Sequence, residues 1–449
     1  MQKSEIILET GCGRIRGLEG PDCRMFLGVP FARAERFAYA EPVVKWNSLV
    51  DATRCGPGCP QNRAWHQHLD HPTRLFYYRE FRQGLDLSYD EDCLNLNIYA
   101  PKATAGAPVI IFFYGGGFDS GLNRERPFDG SALARRGVIT VFANYRVGVL
   151  GYLTHAEIKQ KYGREGNFGL DDQLCAIRWV REHIADFGGD PNNITLMGQS
   201  AGAISIQYLC LDPDNENLFQ HVIMMSGAGL FPRFSLPRPA EQTRPYWEQF
   251  IETAGCKNFE ELRHAPLDLM FDTVEKMKEL RKDGVYHTMP VIDGVLIKDR
   301  IDRLMRHPIG VDTLIGYTNN DLYAPVMARI GNRYGRRNRA WIYFFDLNAP
   351  GDGNLAFHSS DLCYAFGTLA SSWRPYAERD YEASAELLNS FANFARAGDP
   401  NGKDAPLWPA AGGGLRTRVL RIAPEGSKPG YAPYGRLLKN WLTKGEPKA

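Results

Sequence analysis

Ile194-Thr195-Leu196-Met197-Gly198-Gln199-Ser200-Ala201-Gly202 is the stretch whose reading decides the architecture. Its first four residues form a short apolar run with β-branched members, suited to a buried strand. From Ala203 to Leu209 the chain is apolar and helix-compatible. A Gly-x-Ser-x-Gly placed between a strand and a helix forces a tight turn, in which the flanking glycines let backbone segments crowd without Cβ clashes. The hydroxyl of Ser200 is then held out at the carboxyl edge of a sheet, beside a helix N-terminus that favours developing negative charge. A plain Gly/Ser-rich turn would not require that context, so Ser200 is expected to be a nucleophile.

Working outward, the same strand-then-helix rhythm recurs. Residues 95–99, 109–114, 137–143 and 221–225 are short runs rich in β-branched or aromatic residues, bounded by Gly or Pro. Between them a helix is expected over 170–187, with Asp171 and Asp172 at its positive end. Leu174, Ile177, Val180 and Ile184 share one face of it. Strands buried on both faces and separated by helices predict an α/β fold: a central, mostly parallel sheet flanked by helices. No repeat or linker divides the chain, so residues 1–449 read as one domain. Residues 232–306 break the rhythm and read as a helical insertion packed on the sheet.

Lys plus Arg number 53 and Asp plus Glu 52, a net charge of +1 that gives no reason to expect nucleic acid or an anionic membrane as partner. Apolar runs are far too short to span a bilayer. The N-terminal residues lack the apolar core of a secretory signal, so a cytoplasmic protein is expected. Oligomeric state is left at monomer or weak dimer. The nine cysteines include no CxxC pair, and most are expected to be buried thiols.

Tyr114-Gly115-Gly116-Gly117-Phe118 also follows a strand. Consecutive glycines expose backbone N–H groups, which acyl transfer needs where an oxyanion forms. A phosphate-binding loop would call for a Walker lysine or a GxGxxG spacing, and neither occurs here. A serine needs a base. Of the ten histidines, His358 follows a late strand (341–345) and a Gly/Pro/Asn-rich loop, where a base in the order serine, acid, histidine belongs. The acid then lies between Ser200 and His358, and Asp321 sits just beyond the apolar run 313–316. His66-Gln67-His68-Leu69-Asp70-His71 spells a zinc-hydrolase pattern, but it has no preceding strand and reads as a solvated loop. No metal or other cofactor is expected.

Further motifs carry a resemblance that spans nearly the whole chain. These are Glu91-Asp92-Cys93-Leu94-Asn95-Leu96-Asn97, Asn144-Tyr145-Arg146 with Gly148 and Gly151, and Gly166-Asn167-Phe168-Gly169-Leu170-Asp171-Asp172-Gln173. Gly398-Asp399-Pro400-Asn401 and Trp408-Pro409 follow later. Together they resemble the type-B carboxylesterase/cholinesterase family of the α/β-hydrolase superfamily, with its bacterial p-nitrobenzyl-esterase-like members. The resemblance implies hydrolysis of a small-molecule carboxylic ester through an acyl-serine, with a Ser200–Asp321–His358 triad and an oxyanion hole formed by the amides of Gly116, Gly117 and Ala201. It also implies rivals on the same fold: an amidase or lactonase, or a catalytically inactive binding module. Cys59 and Cys93 match a disulfide of secreted relatives, and in a cytoplasmic chain they are expected to be reduced.

The chain departs from this family in three places. Asp321 stands where the family usually has Glu, the loop at 31–37 is trimmed, and the stretch from Asp321 to His358 is short. The last departure predicts a wide, solvent-open Ser200 site, unless residues 79–85 or 232–306 fold over it with Phe76, Tyr77 and Tyr78 as lining. Choline esters are not expected, because Gln199 replaces a Glu of cholinesterases and Trp65 is poorly placed for a cation-binding ring.

Overall fold

The computed structural model describes residues 3–62, 72–227, 236–281, 285–306, 309–321, 324–335, 339–353, 355–412 and 416–433. The zinc-like motif at 66–71 and Trp65 lie outside the described residues. β1 (Ser4–Thr10), β2 (Gly13–Glu19) and β3 (Arg24–Pro30) make an antiparallel start. Two short strands, β4 (Ala32–Arg33) and β5 (Glu41–Pro42), pair with each other, and β6 (Val50–Asp51) lies parallel to β2. The main strands are β7 (Asn95–Ala100), β8 (Ala107–Phe113), β9 (Ile139–Ala143), β10 (Gly189–Gln199), β11 (His221–Met225), β12 (Asp312–Thr318), β13 (Ala340–Phe345), β14 (Arg418–Ala423) and β15 (Gly426–Tyr431).

Their order in the large sheet is β1-β2-β3-β7-β9-β8-β10-β11-β12-β13-β14-β15. From β9 to β14 every pairing is parallel. Every residue of β8 and β13 is buried, as strands covered on both faces must be. This is the α/β-hydrolase architecture that the motifs implied.

Register brings the chemistry to one edge. Gly198 is level with Phe113 on one side and Met224 on the other, and Gly316 is level with Met225. The glycine loop after β8, the Ser200 turn after β10, Ser226 after β11 and the Asp321 loop after β12 therefore emerge together at the carboxyl ends of parallel strands. Open α/β sheets place their ligand sites at this edge.

The helix expected over 170–187 spans Phe168–His183 and tightens into a 3₁₀ turn, Ile184–Phe187. Its apolar face is buried as expected, with Leu174, Ile177, Val180 and Ile184 at most 4% exposed. Asp172 has a role other than complementing the helix dipole. It is wholly buried, and its carboxylate accepts from the Arg146 backbone N–H, Nε and Nη2 at 2.9, 2.9 and 2.7 Å. Arg146 Nη1 also donates to the Ala38 carbonyl at 2.7 Å. Removing one member of such a buried pair costs about 3–5 kcal/mol. The asparagines of the other motifs are likewise structural. Asn144 Nδ2 donates to Pro57 O, and Asn144 Oδ1 accepts from Asn123 N–H at 2.8 Å.

Within residues 232–306 the chain forms helices Ala240–Thr253, Phe259–Arg263, Leu267–Leu280 and Ile301–Leu304. The first buries Tyr246, Trp247, Phe250 and Ile251, and the third buries Met270, Val274 and Met277. Among the described residues no helix is long and apolar enough to cross a membrane.

Candidate active site

Ser200 sits at φ 54°, ψ −120°, ahead of the helix Ala201–Cys210. A non-glycine residue in such a region costs about 1–3 kcal/mol and persists only where its surroundings overdetermine it. Here they do. The Ser200 N–H donates to Met225 O at 2.8 Å, while its carbonyl accepts from Ile204 N–H at 3.0 Å. The chain also packs too closely for larger residues beside it. A Cβ on Gly202 would lie 2.1 Å from Phe113 O, and one on Gly115 would lie 2.8 Å from the Ser200 Cβ.

Asp321 is 5% exposed, in the loop that leaves β12. Its Oδ1 lies 2.7 Å from His358 Nδ1. Its Oδ2 accepts from Ser226 Oγ at 2.7 Å and from Thr318 N–H at 2.8 Å. Burial pushes this carboxyl up, but the attraction of His358 and these three hydrogen bonds outweigh it and hold Asp321 below the ordinary aspartate value. For His358 burial pushes the other way, and the charge and hydrogen bond of Asp321, aided by Asp361, leave its imidazole above the ordinary histidine value. The imidazole side chain keeps 39% of its surface open.

On its other side, His358 Nε2 lies 3.3 Å from Gln199 Nε2, whose amide also donates to Ser359 Oγ at 2.8 Å. The tautomer that satisfies both contacts carries its proton on Nδ1 and turns a lone pair on Nε2 toward Gln199. Asp361, three positions on, is wholly buried and accepts from Tyr343 OH at 2.6 Å. Burial, with the Asp321 charge adding to it against the Tyr343 bond, raises its carboxyl to about 6.

Ser200 and His358 line one cavity of about 280 Å³, together with Gly116 and Gly117. Gly116 and Gly117 have φ of 114° and 65°. Among the described residues, the N–H groups of Gly116, Gly117 and Ala201 donate to no protein acceptor. The apolar wall of the cavity comes from Tyr77, Phe81, Phe128, Tyr286 and Leu362, and polar groups join it: Asp119, Ser120, Gln199, Ser359 and the buried ion pair of Arg82 with Glu125. Burial, against the pull of Arg82, pushes the Glu125 carboxyl up to about 7.

The gap left by the short stretch before His358 is walled as the alternative reading had it, by Phe81 and Arg82 from 79–85 and by Tyr286 from 232–306. The helical segment at 72–82 fills the gap, but with Tyr77 and Phe81 as lining. Phe76 instead packs edge-on against Phe357, with ring centroids 4.9 Å apart.

Sequence reasoning missed Ser226, Ser359 and the contact of Gln199 with the imidazole. Ser226 alone left a trace, as a small polar residue directly after an apolar strand. Among the described residues no group of three His, Cys, Asp or Glu could hold a metal ion.

A doubly wound sheet with a strained serine turn at its carboxyl edge defines the class, an α/β-hydrolase. Solved structures agree on the fold: a thermophilic p-nitrobenzyl esterase superposes with a TM-score of 0.83 at 24% identity, covering 96% of this chain and 98% of that one. The chain belongs to the carboxylesterase family, whose model matches residues 4–334 and 322–434. It is similar to carboxylesterase 1F of Mus musculus, 35% identical over 90% of this chain and 88% of the relative. It is also similar to para-nitrobenzyl esterase of Bacillus subtilis (strain 168), at 27% identity over 90% of this chain and 92% of that protein. The protein is a carboxylic ester hydrolase acting on small-molecule esters.

Proposed function

We propose that the ester is cleaved through an acyl-serine on Ser200, with His358 as base, Asp321 as the acid behind it, and the amides of Gly116, Gly117 and Ala201 as the oxyanion hole. One observation carries this reading: the 2.7 Å contact of His358 Nδ1 with Asp321, made by a histidine that shares a cavity with Ser200. Ser200 Oγ attacks the ester carbonyl while its proton passes to His358 Nε2. Negative charge collects on the former carbonyl oxygen, where each backbone donor is worth about 3–4 kcal/mol. Collapse expels the alcohol, which takes the proton from the imidazolium. Water then repeats the sequence on the acyl-enzyme and releases the acid.

Asp321 remains ionised throughout. Its depressed pKa and buried hydrogen bonds suit it to fix the Nδ1–H tautomer and to stabilise the imidazolium. The test is hydrolysis of p-nitrophenyl butyrate by wild type and by Ser200→Ala. Loss of the nucleophile leaves only binding and oxyanion contributions, so kcat falls by about 10⁴-fold or more; near-normal turnover in the variant refutes the serine mechanism. We further infer a cytoplasmic protein, with Cys59 and Cys93 working as the buried thiols seen in the structure.

A further inference from the structure

Arg374 stands outside the Ser200 cavity, and its side chain is wholly buried. All the N–H groups of its guanidinium find acceptors. Nε donates to Glu80 Oε1 and Oε2 at 3.1 and 3.2 Å, and Nη2 to Glu80 Oε1 at 2.9 Å. Nη1 and Nη2 also grip Asp352 Oδ1 and Oδ2, each at 2.9 Å, and Nη1 reaches the Pro350 carbonyl at 2.7 Å. Trp373 Nε1 adds a 2.8 Å bond to Glu80 from the neighbouring position.

The partners of Arg374 are chain neighbours of the cavity residues. Glu80 precedes Phe81, which lines the cavity. The rings of Phe76 and Phe357 lie 6.0 and 5.0 Å from Arg374 Cζ and 4.9 Å from each other. Phe76 precedes Tyr77 of the wall, and Phe357 precedes His358. Pro350 and Asp352 belong to the loop that runs from β13 to His358. A loop is a poorly constrained way to present a base, and a displacement of about 1 Å can cost about 10²-fold in rate. A buried ion pair often stabilises no more than apolar residues of like volume. What the planar fork of an arginine supplies is a fixed direction and distance to two carboxylates at once.

We propose that Arg374 is a positioning residue for the hydrolysis: it ties the loop that presents His358 to the wall segment at 72–82, so that base and wall hold one fixed spacing across the Ser200 cavity. The proposal rests on the reading of His358 as base. Its two links make separable contributions. The bonds to Asp352 and Pro350 hold the loop, and so act on kcat. Those to Glu80 hold Phe81 and its neighbours, and so act on the binding of a substrate that touches them.

The experiment compares Asp352→Ala, Glu80→Gln and Arg374→Lys with wild type on p-nitrophenyl acetate and p-nitrophenyl benzoate. Rates are expressed per active site titrated to completion with a fluorophosphonate, so that unfolded protein drops out. Asp352→Ala should lower kcat on both esters by about 10²-fold, with KM within about threefold of wild type. Glu80→Gln, which keeps the shape of the side chain, should instead raise KM for the benzoate by about tenfold, with a smaller loss in kcat. Lysine keeps the charge but offers a single point in place of the fork, so Arg374→Lys should show both changes together.

Loss of thermal stability with kcat and KM per titrated site unchanged would reduce Arg374 to a structural brace and overturn the proposal, as would wild-type kinetics in Arg374→Lys. Should Arg374→Lys not fold, Asp352→Ala still decides, because Asp352 keeps 25% of its side chain open to solvent. Wild-type kcat in that variant overturns the proposal. A wild-type protein that neither turns over the esters nor takes up the probe would instead overturn the catalytic reading on which it rests.

Discussion

Gln199 Nε2 and His358 Nε2 stand 3.3 Å apart, so the side chain next to the proposed nucleophile Ser200 holds the ring nitrogen that the proposed base must use. The same amide nitrogen donates to Ser359 Oγ, which pins it in place. Gln199 therefore competes with Ser200 for one lone pair. It also sets the charge around the imidazole, because an amide is neutral where a carboxylate would not be.

Exchange of that amide for a carboxylate should show in the pH profile. The proposed base works as neutral imidazole, so kcat/KM should fall as pH drops through the His358 pKa, which lies above the ordinary histidine value. Gln199→Glu adds negative charge beside the ring and favours the imidazolium. The acid limb of kcat/KM should therefore move to higher pH by about one unit. A limb that stays in place would separate Gln199 from the base.

Two carboxylates face His358, and their removal should differ sharply. Asp321→Asn takes away the Nδ1 partner and the charge behind it, and should lower kcat by about 10³- to 10⁴-fold. Asp361 has no hydrogen bond to the ring and donates only its field, so Asp361→Asn should cost about tenfold or less while shifting the acid limb to lower pH. Steady-state rates of the two variants decide the matter, and the reverse ranking would move the acid to Asp361.

Asp361 also makes a claim about stability. Its folded pKa of about 6 is above the ordinary aspartate value, so the folded state holds this proton more tightly than the unfolded chain does. The stability that goes with the proton is fully present below about pH 4 and is lost as pH rises through about 6. Over that window wild type should lose roughly 3 kcal/mol that Asp361→Asn, which carries no buried charge, retains. Urea unfolding at both ends of the window would show the gap between the two proteins widening with pH; a constant gap contradicts it.

Cys59 and Cys93 are both fully buried and stand as thiols. The hydrogen bond with neighbouring Cys59, and then burial, push the Cys93 thiol far up, which leaves little thiolate for exchange. Mass mapping of the protein, alkylated on lysis without reductant, should recover both as alkylated cysteines. A fully formed bridge would place the chain in an oxidising compartment.

The turn at Ser200 was legible because its logic is local: a strand, a crowded glycine pair and a helix follow one another within sixteen residues, 194 to 209. His358 and Asp321 could be placed by their positions after late strands. The partners that tune them could not. Ser226 reaches Asp321 across 95 positions, and Gln199 reaches His358 across 159, through the parallel register of β10, β11, β12 and β13. Asp172 was misleading for a related reason. An acid near a helix's N-terminus suits the dipole rule, yet this one lies beyond the first turn of Phe168–His183 and faces inward onto Arg146, which a one-dimensional pattern does not record. The refilling of the site was read only as an alternative, because its wall is borrowed from residues 72–82 and from Tyr286, both distant in sequence from the shortened stretch.

The most direct test of the central claim is to label the wild-type protein with a fluorophosphonate and locate the adduct by peptide mass spectrometry. The account predicts a single stoichiometric adduct on Ser200, formed more slowly at low pH as His358 becomes protonated, and absent from Ser200→Ala. Ester hydrolysis that survives full exposure to the probe, or an adduct on another residue that tracks the loss of activity, would contradict it.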